Sequence, residues 1–114
     1  MDVVKTEKSI FPLLASMTRG DYDAAIASVA RSRLTSSDMR EVLDEYPFKL
    51  IRHDVPLESL FDVVSIGAAS KPSWSVNLPL WTAEEGRSDL TLQLTVVDSG
   101  REFYEIELDD LHVL

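Results

Sequence analysis

A chain of 114 residues with 45% hydrophobic content is sized for one domain with a packed core. It contains no cysteine, which excludes disulfides, thiolate catalysis and cysteine-ligated metals. Its formal charge of −9 is unevenly placed: residues 1–57 hold nine acids against eight Lys/Arg, and residues 58–114 hold eleven against three.

In chain order, Ile10, Leu13, Leu14 and Met17 form the first apolar helix stripe. Pro12 is tolerable in a first turn, so Ser9 is one cap for a helix running to Arg19, with Gly20 as its stop. The alternative is a start near Val3 and a kink. Asp21 caps a second helix that turns Tyr22, Ala25, Ile26 and Val29 inward. The string Thr35-Ser36-Ser37-Asp38 caps a third, which buries Met39, Val42, Leu43 and Tyr46 and ends at Pro47.

Residues 48–56 read as a connecting loop, and Leu57 to Ala69 as the first strand. Trp74 to Thr95 holds the strongest pattern. Trp74, Val76, Leu78 and Leu80 alternate with Ser75, Asn77, Pro79 and Trp81, and Leu90, Leu92, Leu94 and Val96 alternate with Thr91, Gln93 and Thr95. A period of two over that length predicts half-buried antiparallel strands. Pro79 cannot donate to a ladder, so an edge or a bulge is expected there. Asp98-Ser99-Gly100-Arg101 predicts a tight turn into a last strand from Phe103 to Leu114. The expected fold is therefore α+β: a single domain with three N-terminal helices on a four-stranded antiparallel meander, similar in architecture to cystatin-like or NTF2-like folds.

Candidate chemistry is sparse. His53 and His112 are the only side chains that titrate near neutrality by default. His112, after Asp109-Asp110, has a catalytic or metal reading. The other reading is a strand residue turned outward by a bulge at Asp109-Asp110, with Leu111 and Val113 turned inward. No spacing in the chain marks a metal site, a phosphate loop or a nucleophile elbow, so no cofactor or metal is expected. Glu84 and Glu85 sit at a loop tip as acid/base or partner-binding candidates. Arg87 is either an anion clamp or the partner of Asp89 or Asp110. Strict alternation puts Trp81 on the wet face beside Thr91, Gln93, Glu105 and Glu107, where a large aromatic suits a partner-binding anchor. A bulge at Pro79 would return it to the core.

The strings W-T-A-E-E-G-R-S-D-L-T-L (Trp81 to Leu92) and E-L-D-D-L-H-V-L (Glu107 to Leu114) resemble a family of small uncharacterised bacterial proteins. That resemblance implies a bacterial cytoplasmic protein and no particular activity. The N-terminus lacks a signal-peptide core, and no apolar run approaches the ~20 residues that span a bilayer, so a cytoplasmic location is expected from the residues too.

An acidic field repels nucleic acid and anionic membrane and favours a cationic partner, although acidity also serves plain solubility. The leading expectation is a non-enzymatic module that binds a basic protein through Trp81, Glu84, Glu85, Glu105, Glu107 and Asp109. Its most concrete form is an immunity protein or antitoxin that neutralises a nuclease-like toxin. The alternative is a small-molecule binder or enzyme with a pocket between sheet and helices, built on Trp74, Tyr104, Asp110 and His112. A third reading is a homodimer through the open sheet face.

Overall fold

Each helix begins where a side-chain oxygen is available to take an unpaired first-turn N–H. In the computed structural model, which describes residues 1–114, α1 spans Val3–Arg19 and Asp2 accepts from the Lys5 N–H at 3.0 Å. The start near Val3 is thus the one adopted, with Pro12 inside the helix. Ser9 does not cap: its hydroxyl donates to the Lys5 carbonyl at 2.7 Å and accepts from the Tyr104 N–H at 2.9 Å. Gly20 ends α1 at φ +76, the left-handed conformation that glycine takes without strain. Asp21 caps α2 (Tyr22–Ala27), and Thr35 with Asp38 forms a reciprocal capping box on α3 (Ser36–Glu45).

The fold is α+β, with three helices and a mixed six-stranded sheet rather than four antiparallel strands. Its centre is β4 (Ser73–Thr82) and β5 (Gly86–Val97), followed by β6 (Glu105–Val113). Three short strands complete it: β1 (Arg31–Ser32), β2 (Leu50–Ile51) and β3 (Asp62–Ser65). β3, β4, β5 and β6 do form the expected antiparallel meander. β1 pairs parallel with β6, which makes the sheet mixed and places a strand between the second and third helices. The span Leu57 to Ala69 is strand only at Asp62–Ser65, after a single 3₁₀ turn at Leu57–Ser59.

All three helices lie on one side of the sheet. Ile10, Leu13, Met17, Ala25 and Met39 form one cluster with Val76, Leu78, Leu80, Leu90, Leu92, Leu94, Val96, Ile106 and Leu108. Each fully buried Leu contributes about 1.5–3 kcal/mol from its apolar area, so this face fixes the register of the central strands. No helix is long and apolar enough to cross a membrane.

Two irregularities aim the side chains of the opposite face. Pro79 pairs with Thr91 and Trp81 with Arg87, so Ser88, Asp89 and Leu90 all oppose Leu80. The extra residues lie in β5, not at the proline. Ser88 closes the bulge by donating to the Leu80 carbonyl at 2.8 Å and accepting from the Leu90 N–H at 3.2 Å. In β6, Asp110 pairs with Gln93 and Leu108 with Leu94, leaving Asp109 as one extra residue. Beyond it Leu111 is 3% exposed while His112 pairs with Thr91 on the other face. Val113 is inward by parity yet 54% exposed, because the strand ends there.

Candidate functional site

The face turned away from the helices is polar because its strands alternate. β4 contributes Ser75, Asn77, Pro79 and Trp81, and β5 contributes Thr91, Gln93 and Thr95. β6 adds Glu105, Glu107, Asp109, Asp110 and His112, and β3 adds Asp62 and Val64. Register lines up Asp62, Asn77, Gln93 and Asp110 as one row across four strands, at ~4.8 Å per step. In the middle of that row Asn77 Oδ1 is buried and has no hydrogen-bond partner.

Glu105 and Glu107 lie two residues apart on the same face, about 7 Å along the strand. Asp109 accepts a 2.6 Å hydrogen bond from the Thr95 hydroxyl. Asp110 accepts from the Leu111 N–H at 2.9 Å, and its other oxygen lies 3.1 Å from His112 Nδ1, off the axis of a hydrogen bond. That contact is the only approach of a basic side chain to an acid within ion-pair distance. Arg31 sits in register beside Glu107 and makes no ion pair with it. No Lys or Arg therefore closes on any of the four acids of β6, and Asp110 has only the His112 ring beside it. No three His, Asp or Glu side chains converge as a metal site would require.

Glu84 and Glu85 are placed differently. They form the β4–β5 turn, whose far end is separated from Glu105 by the length of β5, roughly 35 Å at strand rise. Both carboxylates are engaged within the chain. Glu84 accepts from the Lys49 N–H at 3.0 Å, and Glu85 accepts from the Tyr46 hydroxyl at 2.6 Å. The bond to Glu85 holds the Tyr46 phenol above its ordinary range. The two glutamates thus tie the hairpin tip to the segment after α3. Arg87 makes no ion pair with Asp89 or Asp110, so the pairing considered for it does not form.

Trp81 keeps the parity of Ser75 and Asn77 and lies on the polar face, half-buried. Its ring rests on Gly86, where a Cβ would come within 3.3 Å of Cζ2, and its centroid is 6.0 Å from that of His53. His53 is held by its own bond: Nε2–H donates to the Pro79 carbonyl at 2.8 Å. β3 leaves β4 at Asn77 and β2 joins it at Trp81, so the outer edge between them has no strand beside it. Pro79 falls in that gap, where its missing N–H goes unused and an imidazole stands in for the neighbouring strand. Burial pushes the His53 pKa down, and the bond to Pro79 offsets this only in part.

The four residues of the expected pocket do not meet. Trp74 and Tyr104 meet with ring centroids 5.8 Å apart and planes tilted by 55° on the helix side, where the Tyr104 hydroxyl accepts from the Asp2 N–H at 3.0 Å. Asp110 and His112 are on the opposite face. An apolar cleft lies instead between α1 and residues 50–58, with Leu80 at its floor. Its residues come from α1, residues 50–58 and β4, without a common motif. The one signal in the sequence is that α1 carries Val4, Phe11 and Ala15 beside the stripe of Ile10, Leu13, Leu14 and Met17, an apolar surface wider than one contact needs.

No curated protein and no solved structure matches the chain. A family model for a domain of unknown function, DUF7668, matches residues 14–114, and by this match across helices and sheet alike the chain belongs to that uncharacterised family.

Proposed function

We propose that the chain is a non-enzymatic protein-binding module whose polar sheet face takes a basic partner. One observation carries this reading: Glu105, Glu107, Asp109 and Asp110 share a face that no helix covers, and no Lys or Arg neutralises them. Four carboxylates in one short strand, none ion-paired to a Lys or Arg, repel one another, and a cationic partner relieves that repulsion while being steered in from a distance. Trp81 and His112 flank this region and supply apolar contact area at its hairpin end.

The part assigned to Glu84 and Glu85 is narrower than that of the β6 acids. Their oxygens are shared with Tyr46 and Lys49, so a partner reaching them meets a hairpin already braced. The binding set proposed is therefore Glu105, Glu107, Asp109 and Asp110, with Trp81 at its border. In its most specific form the partner is a basic nuclease-type toxin, and the chain acts as the immunity protein that blocks it. A carboxylate row suits that task because it can fill a site shaped for phosphates.

Two experiments test the reading. Capture from the native host at low salt, with wild type and with a Glu105→Lys/Glu107→Lys variant, is expected to yield a basic protein held by wild type alone. Coexpression with a basic nuclease encoded beside the chain is expected to protect cells, and the variant is expected to fail. Equal capture by both proteins, or protection that survives the reversal, would remove the acidic face from the account.

A further inference from the structure

The cleft between α1 and residues 50–58 has a chemistry unlike the rest of the molecule. It measures about 590 Å³, within the range of small-molecule sites. Phe11, Leu14, Val55, Leu57 and Leu80 make its walls and floor. Phe11 remains 58% exposed, a large aromatic left at the mouth of an apolar cavity. The charged residues on the lining are Arg19 and Arg52 against Glu7 and Glu58, so a protein of charge −9 presents no net formal charge here.

One polar group stands out in that apolar setting. His53 lines the cleft, and because its Nε2–H is committed to the Pro79 carbonyl, its other ring nitrogen carries a lone pair. Nδ1 makes no hydrogen bond within the chain and is not sealed from solvent. The ring is a fixed, uncharged acceptor, held in one tautomer by its own anchor. A ligand suited to these features is apolar, uncharged and equipped with one hydroxyl donor.

We infer that this cleft is a binding site for an uncharged aromatic or alicyclic alcohol, whose hydroxyl donates to His53 Nδ1 while its ring lies against Phe11, Leu14 and Leu80. The site is separate from the acidic face and stands or falls independently of it. An anion is disfavoured by the protein's overall field, and an ether of the same shape lacks the proton that His53 accepts.

The test uses three probes of one shape, naphthol, its methyl ether and naphthoate, titrated into the full chain and followed by methyl and amide NMR shifts. Naphthol is expected to give saturable shifts at Leu14, Leu57 and Leu80. The ether and the anion are each expected to bind about tenfold more weakly, the cost of leaving His53 Nδ1 unpaired once the bound ring shuts water out of the cleft. Ala15→Phe, which fills the cleft from α1, is expected to abolish the naphthol shifts while the spectrum stays dispersed. If that variant does not fold, the probe series decides alone. Any of four results overturns the inference: no saturable shift, equal binding of naphthol and its ether, shifts confined to Trp81 and Gly86 on the other side of His53, or the same shifts arising from self-association without a probe.

Discussion

Deleting Asp109 should leave the sheet intact, and the reason is countable. Leu108 pairs with Leu94 and Asp110 with Gln93, so Asp109 is the one residue of β6 that opposes nothing. Its removal brings two adjacent pairs together with no change of partner on either side. Every later side chain keeps its face: Leu111 still points to the core and His112 away from it. The loss is one hydrogen bond from Thr95 to a half-exposed carboxylate, about 1 kcal/mol after screening. A regular ladder replaces the bulge and recovers part of that. Deleting Glu107 two residues earlier is the contrasting case. It inverts Leu108, which is fully buried, and turns Asp109 toward the core. Expelling the leucine costs about 1.5–3 kcal/mol, and a carboxylate driven among leucines adds to it. Urea denaturation separates the two. With a slope of about 1.5 kcal/mol per M, the Asp109 deletion shifts the midpoint by well under 1 M and the Glu107 deletion by roughly 2 M or more. Equal losses from the two deletions would refute the assignment of Asp109 as the extra residue.

Two further predictions rest on particular contacts. Because burial lowers the His53 pKa below its ordinary 6.5, the unfolded chain takes up a proton that the folded chain refuses. Stability therefore falls as pH drops below about 6.5, an effect absent above it; in paired urea titrations, His53→Gln should lose that component of the slope, and an identical pH profile would contradict it. Gly86 sits at φ +73 with Trp81 against it, so Gly86→Ala is expected to cost about 1–2 kcal/mol from the left-handed backbone alone. The same change should shift Trp81 fluorescence, and an unperturbed emission would place the indole elsewhere.

Much of the fold was legible in the residues because its signals are local. Asp21, Thr35 and Gly20 announce helix ends through chemistry that acts within three or four residues, and Trp74 to Thr95 announces strands by period. β1 and β2 were not legible, since two residues carry no period and their pairing depends on where β6 and β4 have gone. The bulge beside Pro79 was foreseen in place but not in strand. A proline shows where a ladder fails, whereas Ser88 accommodates the extra chain on the partner. The bulge at Asp109 was readable because only a change of phase keeps Leu108 and Leu111 both inside.

On the acidic face, alternation grouped Glu105, Glu107 and Asp109 on one side and the register places them there, while Asp110, read as a pocket residue, joins them through the bulge. Alternation said nothing of Tyr46 and Lys49 reaching Glu85 and Glu84, contacts made across nearly forty positions of sequence. The cleft was invisible for the same reason. Its walls come from one helix and one irregular segment, and no spacing rule joins them.

On the reading proposed above, the carboxylates of β6 form a surface for a positive partner while adding little to the fold. The decisive measurement is the association rate of the captured basic partner with wild type and with Glu105→Lys/Glu107→Lys, over a series of salt concentrations. The wild-type rate is expected to fall steeply with salt, and the variant to be at least tenfold slower at low salt with its unfolding midpoint unchanged. Rates that coincide at every salt concentration, from a variant that is properly folded, would contradict it.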